Sequence, residues 1–439
     1  MEEQSQIPIS KIRRAGKFVR TGAKVGGNYL KAYSQKLLKG ELDQEALDQK
    51  NAEDIYETLS ELKGSALKVA QMLSMDKGVL PKAFSQQFSK AQSKAPALSG
   101  PLILRTIQKY LGKSPLDLFD EFEMKAAHAA SIGQVHKAKK DGQELAIKIQ
   151  YPGVGDSVVS DLKLVRPIAT RMFGFKDQDV EMYFQEVKER LLEETDYALE
   201  LKRSMQISEA CKDLPNLFFA TYLPEYSSDR ILTMTWLEGL SLEEFLAKNP
   251  SQEIRNQIGQ AMWDFYNYQI HVLKIMHADA HPGNYLFREN GELGVLDFGC
   301  VKDLPEDFYQ AFIQILNPEV LNNDELFMKA CYEAQILVPG DSQKEIDLYS
   351  SIFRESWSLI SKPFVSKRFD FGDKDFFDTI YAFGDEMSRN PALRNSRVPR
   401  GHKDGIYLNR TYFGLFSILH ELKAEIDTQR YAPVFTPQP

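Results

Sequence analysis

HADAHPGNYLFRENGELGVLDFG, residues 277–299, gathers His277 and His281, Asp279 and Asp297, Asn284 and a turn dipeptide into one short span. Asn290-Gly291 separates YLFRE from ELGVLDF. This dipeptide is favoured in two-residue hairpin turns. With a two-residue loop, paired positions sum to 581, so Asn284 is expected opposite Asp297. Directly opposed residues share a face, with Cβ atoms about 4.5–5.5 Å apart. An amide oxygen and a carboxylate at that separation suit one hard divalent cation. Mg²⁺ prefers oxygen ligands and usually takes one or two from protein.

Three chemistries compete for these residues. A zinc site would use His277 and His281, four apart, with Asp279. Helical presentation of that pair needs an unbroken helix, and Pro282-Gly283 interrupts it. The stretch itself holds no cysteine and no third histidine. The second reading is the catalytic loop of a kinase, H-R-D-x-x-x-x-N followed by D-F-G. Asp279 stands five positions before Asn284, and Asp297-Phe298-Gly299 follows. In that chemistry the first aspartate positions the attacking hydroxyl, while the asparagine and second aspartate hold Mg²⁺ on the phosphates. At least one of the two histidines then packs the loop. The third reading, a small-molecule phosphotransferase of aminoglycoside or choline type, uses a similar loop and stays open on these residues alone.

A chain of 439 residues suggests two or three lobes. With 43% hydrophobic and 26% charged residues a packed core is expected. The net charge of −8 argues against nucleic-acid binding. Lys11 to Lys39 nevertheless carries nine Lys or Arg and no Asp or Glu. This basic segment reads as a docking arm for an anionic lipid surface. A solvated helix face or loose tail is the alternative. Cys211, Cys300 and Cys331 are widely spaced and suit a reducing compartment. There is no apolar run long enough to span a bilayer and no apolar signal core. The expectation is a cytoplasmic protein with peripheral membrane contact; the sequence carries no signal for oligomeric state.

Residues 1–50 read as a basic, helical segment. Over 51–75, Ile55, Leu59, Leu62, Ala66, Ala70 and Leu73 recur at helical spacing, with Asn51 as N-cap. A helix over 101–111 ends at Gly112. SIGQVHKAKKDGQELAIKIQ, residues 131–150, reads as strand, turn at Asp141-Gly142, strand. Residues 181–208 form one long helical pattern, and 231–239 a buried strand running into a linker at Gly239. The remainder is mostly helical. The expected division is a basic segment (1–50), a helical extension (51–100), a strand-rich lobe (101–239), a helical lobe (240–430) and a disordered tail (431–439).

A kinase also needs a lysine on the phosphates. LAIKIQ offers Lys148 in a strand, matching V-A-I-K as A-I-K. The preceding hairpin then stands where G-x-G-x-x-G-x-V covers the phosphates. Here it reads His128, Ala129, Ala130, Ser131, Ile132, Gly133, Gln134, Val135, with only the third glycine kept. Alanine allows close backbone approach with less freedom at positive φ. Ala129, Ala130, Ser131, Gly133, Val135 and Lys148 form the candidate ATP-binding set.

These residues resemble the UbiB/AarF-type atypical kinases, relatives of the coenzyme Q proteins. The resemblance covers roughly 55–425 and is carried by LKVAQMLS (67–74), AASIGQVHKA (129–138), AIKIQYPGV (146–154), EETDYALE (193–200), HADAHPGN (277–284) and LDFG (296–299). Aminoglycoside-type enzymes share the fifth of these but not SIGQVH or LKVAQ. The resemblance implies an α+β, bilobal protein-kinase-like fold with a helical N-terminal extension over the cleft. It implies that Lys148 contacts phosphate and Glu200 is its helix partner. Asp279 is the catalytic-loop aspartate, and Asn284 and Asp297 are Mg²⁺ ligands. Glu194 and Asp196 match an E-x-D motif. Lys68 and Gln71 match K-x-G-Q, which restrains phosphorylation of protein substrates. The chain departs from the pattern at Ala70, where glycine is usual, and at His128, where alanine is usual.

Leu67, Met72 and Met75 flank Lys68 and Gln71, so this helix is apolar on most sides. A buried ammonium needs a partner, and Glu193, Glu194, Asp196 and Glu200 are the obvious supply. The reading is an atypical kinase or ATPase using ATP and Mg²⁺. The resemblance adds a role in isoprenoid-quinone or related lipid metabolism. A non-catalytic ATP-binding regulator and a small-molecule phosphotransferase are the alternatives.

Overall fold

The computed structural model describes residues 11–39, 44–62, 68, 87, 98–129, 132–173, 177–390, 400–402 and 404–431. The chain divides into two compact units. The first takes residues 1–202 and 221–236, the second 203–220 and 237–439.

In the first unit, α1 (Lys11–Lys39) carries the basic segment and α2 (Gln44–Leu62) packs on it. Their contact is polar. Thr21 and Thr58 share a hydrogen bond of 2.6 Å, and Asn28 donates to Asn51 and Asp54 at 2.9 Å. Lys24 lies 2.8 Å from Asp54. This corrects the expected cap. Asn51 is buried inside α2, which starts seven residues earlier, and its side-chain oxygen accepts from Asn28 rather than from a helix end. The basic segment is therefore a docked helix along Thr21, Lys24 and Asn28. Val19 and Leu30, exposed at 72% and 76%, lie on roughly the opposite side.

Helix α3 (Gly100–Leu111) ends at Gly112, whose φ of 74° is the left-handed cap expected of glycine. An antiparallel sheet follows: β1 (Glu121–Phe122), β2 (His128–Ala129), β3 (Gly133–Lys140) and β4 (Gln143–Gln150). Asp141 and Gly142 have φ of 48° and 80°, so the β3–β4 turn has both central residues left-handed. That geometry matches strand twist and explains the Asp-Gly pair. Helices α4 (Val154–Phe173), α5 (Asp177–Glu194) and α6 (Tyr197–Cys211) come next. The single helical pattern over 181–208 is thus two helices. The Thr195 carbonyl accepts from Gln150 and Arg230 at 2.9 and 2.6 Å, leaving the helix ladder. Asp196 then caps α6 by accepting from the Leu199 amide. The chain visits β5 (Leu217–Phe219) in the second unit and returns as β6 (Ile231–Thr235), which pairs with β4. The sheet's inner face, with Ile147, Ile149 and Ile231, meets Ile103 and Ile107 of α3 in one apolar cluster.

The second unit is built on α7 (Gln252–Asn267), whose Trp263, Phe265 and Tyr266 are fully buried. It continues as a π-turn over Tyr268–Leu273 and stops at Lys274, φ 56°. Three small sheets follow. Strands β7 (Ile275–His277) and β10 (Val301–Asp303) pair antiparallel, while β8 (Tyr285–Phe287) and β9 (Leu293–Val295) form a hairpin with β5 parallel to β9. The rest is helical apart from a pairing of β11 (Arg368–Asp370) with β12 (Glu425–Asp427). Its helices include α8 (Glu306–Leu316), α9 (Gln343–Val365), α10 (Lys374–Arg389) and α11 (Gly405–Leu422). No described helix is long and apolar enough to cross a membrane.

Candidate active site

Each unit holds one group of candidate residues. In the first, Lys148 stands in β4 between β3 and β6, opposite Val135 in register, so the two share a sheet face. Its ammonium is 2.6 Å from Glu200 Oε1 on α6. The lysine side chain is 18% exposed and the glutamate 2%. Tyr197, one turn before Glu200, places its ring centroid 5.1 Å from the ammonium. The tyrosine in turn explains Gly133. A Cβ there would come within 2.8 Å of the Tyr197 hydroxyl and 2.7 Å of the Ile149 carbonyl. Gly133 is therefore required by close packing within β3, and not by a positive φ. His128 and Ala129 pair with Val135 and Gln134. The His128 ring stacks on Trp236 at 6.1 Å with planes 12° apart. Ala130, Ser131, Ala70 and Gln71 lie outside the described residues.

Lys68 meets Glu194 at 3.0 Å. Arg190, one turn earlier on α5 and only 2% exposed, stands 3.4 Å from the same carboxylate. Two cations thus share one nearly buried anion, which offsets the cost of burying either. Asp196 is not part of this cluster; it is exposed and caps α6.

In the second unit the hairpin register differs from expectation. Tyr285 pairs with Val295 and Phe287 with Leu293, so paired positions sum to 580. Asn284 consequently stands opposite Leu296, whose amide donates to its carbonyl at 3.0 Å. The loop is three residues, 289–291, closed by the Gly291 amide on the Arg288 carbonyl, and only Gly291 is left-handed. Side-chain ties select this longer loop. Asn290 accepts from the Glu292 amide, and Arg288 pairs with Glu292 at 2.9 Å. Asn284 instead meets Asp279. Its amide nitrogen donates to the Asp279 carbonyl at 2.9 Å and to Oδ2 at 3.1 Å.

The histidines hold the loop. His277 is 1% exposed and sits among Phe265, Tyr266 and Phe298, with ring centroids 5.8–6.4 Å away. Its Nε2 donates to the Asp297 carbonyl at 2.6 Å, and its Nδ1 accepts from the Asp279 amide at 3.4 Å. One tautomer satisfies both contacts and ties the two aspartate segments together. His281 Nδ1 accepts from the Gly283 amide, starting the helical turn Pro282–Asn284. Asp297 Oδ1 accepts from the Gly299 amide at 2.7 Å, which fixes the carboxylate's orientation. Below the loop, the Tyr266 and Tyr285 hydroxyls are hydrogen-bonded. Burial pushes both phenols up, and the Asp279 charge adds to this.

Two supports carried no sequence signal. Thr411 on α11 donates to the His277 carbonyl at 3.3 Å. Gly414, one turn on, faces Ala280: a Cβ there would meet the Ala280 carbonyl oxygen at 2.3 Å. The neighbour of the proposed catalytic aspartate therefore rests against a bare helix backbone.

A profile of the ABC1 atypical kinase-like domain matches residues 90–331. The chain belongs to this family. It is 27% identical to the atypical kinase COQ8, mitochondrial, of Saccharomyces cerevisiae over 434 residues, 97% of this chain and 84% of that one. It is 26% identical to the rat (Rattus norvegicus) COQ8B, mitochondrial, covering 96% and 80%. Among solved structures it resembles the complex of Rv3197 with erythromycin from Mycobacterium tuberculosis. There the TM-score is 0.60 and the identity 27%, covering 88% of this chain and 95% of the other. The α+β, kinase-like class read from the sequence is that of the family. The family is implicated in coenzyme Q biosynthesis.

Proposed function

We propose that this chain is an atypical kinase or ATPase that binds ATP with Mg²⁺ and hydrolyses ATP or transfers its terminal phosphate. The observation that carries the reading is the 2.6 Å pair of Lys148 and Glu200, residues 52 apart in sequence. A strand lysine held by a buried glutamate is the arrangement that presents one positive charge to a nucleotide's phosphates. Lys148 takes the phosphate-contacting role, with Val135 and Gly133 nearby in β3 and Ala129–Ser131 as the covering segment. Asp279 positions the acceptor hydroxyl or water. Asn284 donates to Asp279 through its amide nitrogen, which leaves the side-chain oxygen Oδ1 as the atom that could ligate a cation. That oxygen and the Asp297 carboxylate are hard ligands that fit Mg²⁺. When bound, the cation would neutralise charge on the phosphates.

Lys68 and Glu194, with Gln71 and Asp196 from the same motifs, favour restrained use of protein substrates. Lys68→Ala is then expected to raise autophosphorylation rather than only to lower stability. The basic α1 supports contact with an anionic membrane, and the family supports a role in isoprenoid-quinone metabolism. Deleting residues 1–40 tests the first by liposome flotation, and equal flotation removes it.

The decisive test is Mg²⁺-dependent ATP turnover by the purified chain against Asp297→Asn. Turnover is expected to fall by about 10²–10³, with binding of a fluorescent nucleotide retained. Equal turnover in both proteins overturns the enzyme reading and leaves an ATP-binding regulator.

A further inference from the structure

His128 stands where G-x-G-x-x-G-x-V has its first glycine. In place of a bare backbone, this chain carries an exposed imidazole there, on the two-residue strand β2. His128 pairs with Val135, which pairs with Lys148, so all three share one face of the sheet. Trp236 follows β6, and its amide donates to the Glu144 carbonyl at 2.9 Å. Met234 pairs with Ala146, so Trp236 comes level with Glu144. Glu144, Ala146 and Lys148 alternate along β4 and point to the same side. His128 and Trp236 therefore lie on the face of Lys148, with β3 and β4 between them. Their rings nevertheless stack, with centroids 6.1 Å and planes 12° apart. Lys137, two residues after Val135 on the same face, holds its ammonium 4.1 Å from the Trp236 ring centroid.

The place of this stack decides what it can do. Ala129, the next residue, begins the segment 129–131 assigned above to cover the phosphates. A two-residue strand is a weak anchor for such a segment. Its backbone ties include the Ala127 amide on the Val135 carbonyl at 2.8 Å. Ordering a chain segment costs conformational entropy, and a ligand binds more tightly when that ordering precedes it. We propose that His128 is a positioning residue: by stacking on Trp236 it fixes where the covering segment leaves the sheet, and so raises affinity for nucleotide. The flat ring does this, and no proton transfer is involved. The effect on affinity rests on the nucleotide reading above, whereas the stack stands without it.

Two readouts on the full chain separate the stack from its effect. In the nucleotide-free protein, His128→Ala is expected to speed hydrogen exchange of the Ala127 amide about fivefold, the worth of one aromatic pair. The Kd of a fluorescent ATP analogue, and the KM for ATP with Mg²⁺, should rise by the same factor of about five, with kcat little changed. His128→Phe keeps a flat ring and should restore exchange and affinity together. In wild type, a nuclear Overhauser contact between the His128 ring and the Trp236 indole is expected however the variants fold. Its absence overturns the stack, as does unchanged Ala127 exchange in His128→Ala. Failure of His128→Phe to restore either readout overturns stacking as the cause. Faster exchange with unchanged nucleotide affinity overturns the positioning role. Wild type that binds no nucleotide overturns the kinase reading and the affinity effect with it, while exchange still judges the stack.

Discussion

The Lys148 group and the Asp279 loop use opposite means to hold charged side chains. Lys148 and Glu200 meet across 52 residues in a side-chain contact of 2.6 Å, with Tyr197 and Gly133 packed nearby. Asp279, Asn284 and Asp297 are held mostly through backbone. Their carbonyls and amides are taken by His277, His281 and Leu296, and the Gly299 amide donates to the Asp297 carboxylate. The first arrangement rests on side chains brought together from distant parts of the chain. The second distributes its restraint, so that its side chains are fixed before any ligand arrives.

The largest expected effect comes from breaking the Lys148–Glu200 pair. Lys148→Met and Glu200→Gln should each lower ATP turnover by about 10²–10³. The double variant should be scarcely worse than either, because each alone removes the same unit. Steady-state kinetics on the three proteins checks this. Fully additive losses would mean that the pair does not act together. The distributed loop is attacked through His277. His277→Ala removes a buried ring and both tethers, at a cost of about 3 kcal/mol in stability by urea unfolding. Asn284→Ala, which removes the two hydrogen bonds to Asp279 but no buried ring, should cost about 1 kcal/mol. Equal losses would show the restraint to be less distributed than the contacts suggest.

How readily each region could be read from sequence follows from the same difference. The β3–β4 hairpin was legible because Asp141-Gly142 encodes a left-handed turn locally. Asp279, Asn284 and Asp297 stand out in the sequence by their spacing alone. The hairpin register at Asn290-Gly291 was not. The ties of Asn290 and Arg288 to Glu292 outweighed the preference of the dipeptide and moved Asn284 opposite Leu296. The break at Thr195 depends on Gln150 and Arg230, which are remote in sequence. Asn51 looked like a cap because its match, Asn28, lies on another helix. Glu200 entered only through family resemblance, since no local rule links it to Lys148. Gly414 gave no signal, because a glycine within a helix reads only as a weak position until its neighbour is known.

Gly414 offers a smaller test of the loop. Gly414→Ala must displace the Ala280 carbonyl, because the contact falls on backbone. A loss of about 1–3 kcal/mol is expected, with turnover falling more than nucleotide affinity. Unchanged turnover with reduced stability would separate the loop from its helix support.

The smallest effect compares the two units by acid. His271 follows α7 and accepts or donates at Nδ1 to the Tyr309 hydroxyl at 3.0 Å. Burial, with the Lys274 charge nearby, pulls it down to about 3. In the first unit, burial also lowers His136, held between Gln134 and the Glu123 carbonyl. A histidine with a lowered folded pKa is neutral in the native state while the unfolded chain binds a proton. Its stabilising contribution is therefore present above the unfolded value of about 6.5 and lost as pH falls toward the folded one. Between pH 6 and 5, His271→Gln should reduce the slope of stability against pH by up to about 1.4 kcal/mol per unit. Carboxylates titrate mostly below that window, so the difference from wild type isolates the imidazole. His136→Gln should reduce the slope less, because the Glu123 carbonyl and charge oppose its desolvation. The reverse order would place the more strongly desolvated histidine in the sheet rather than in the turn after α7.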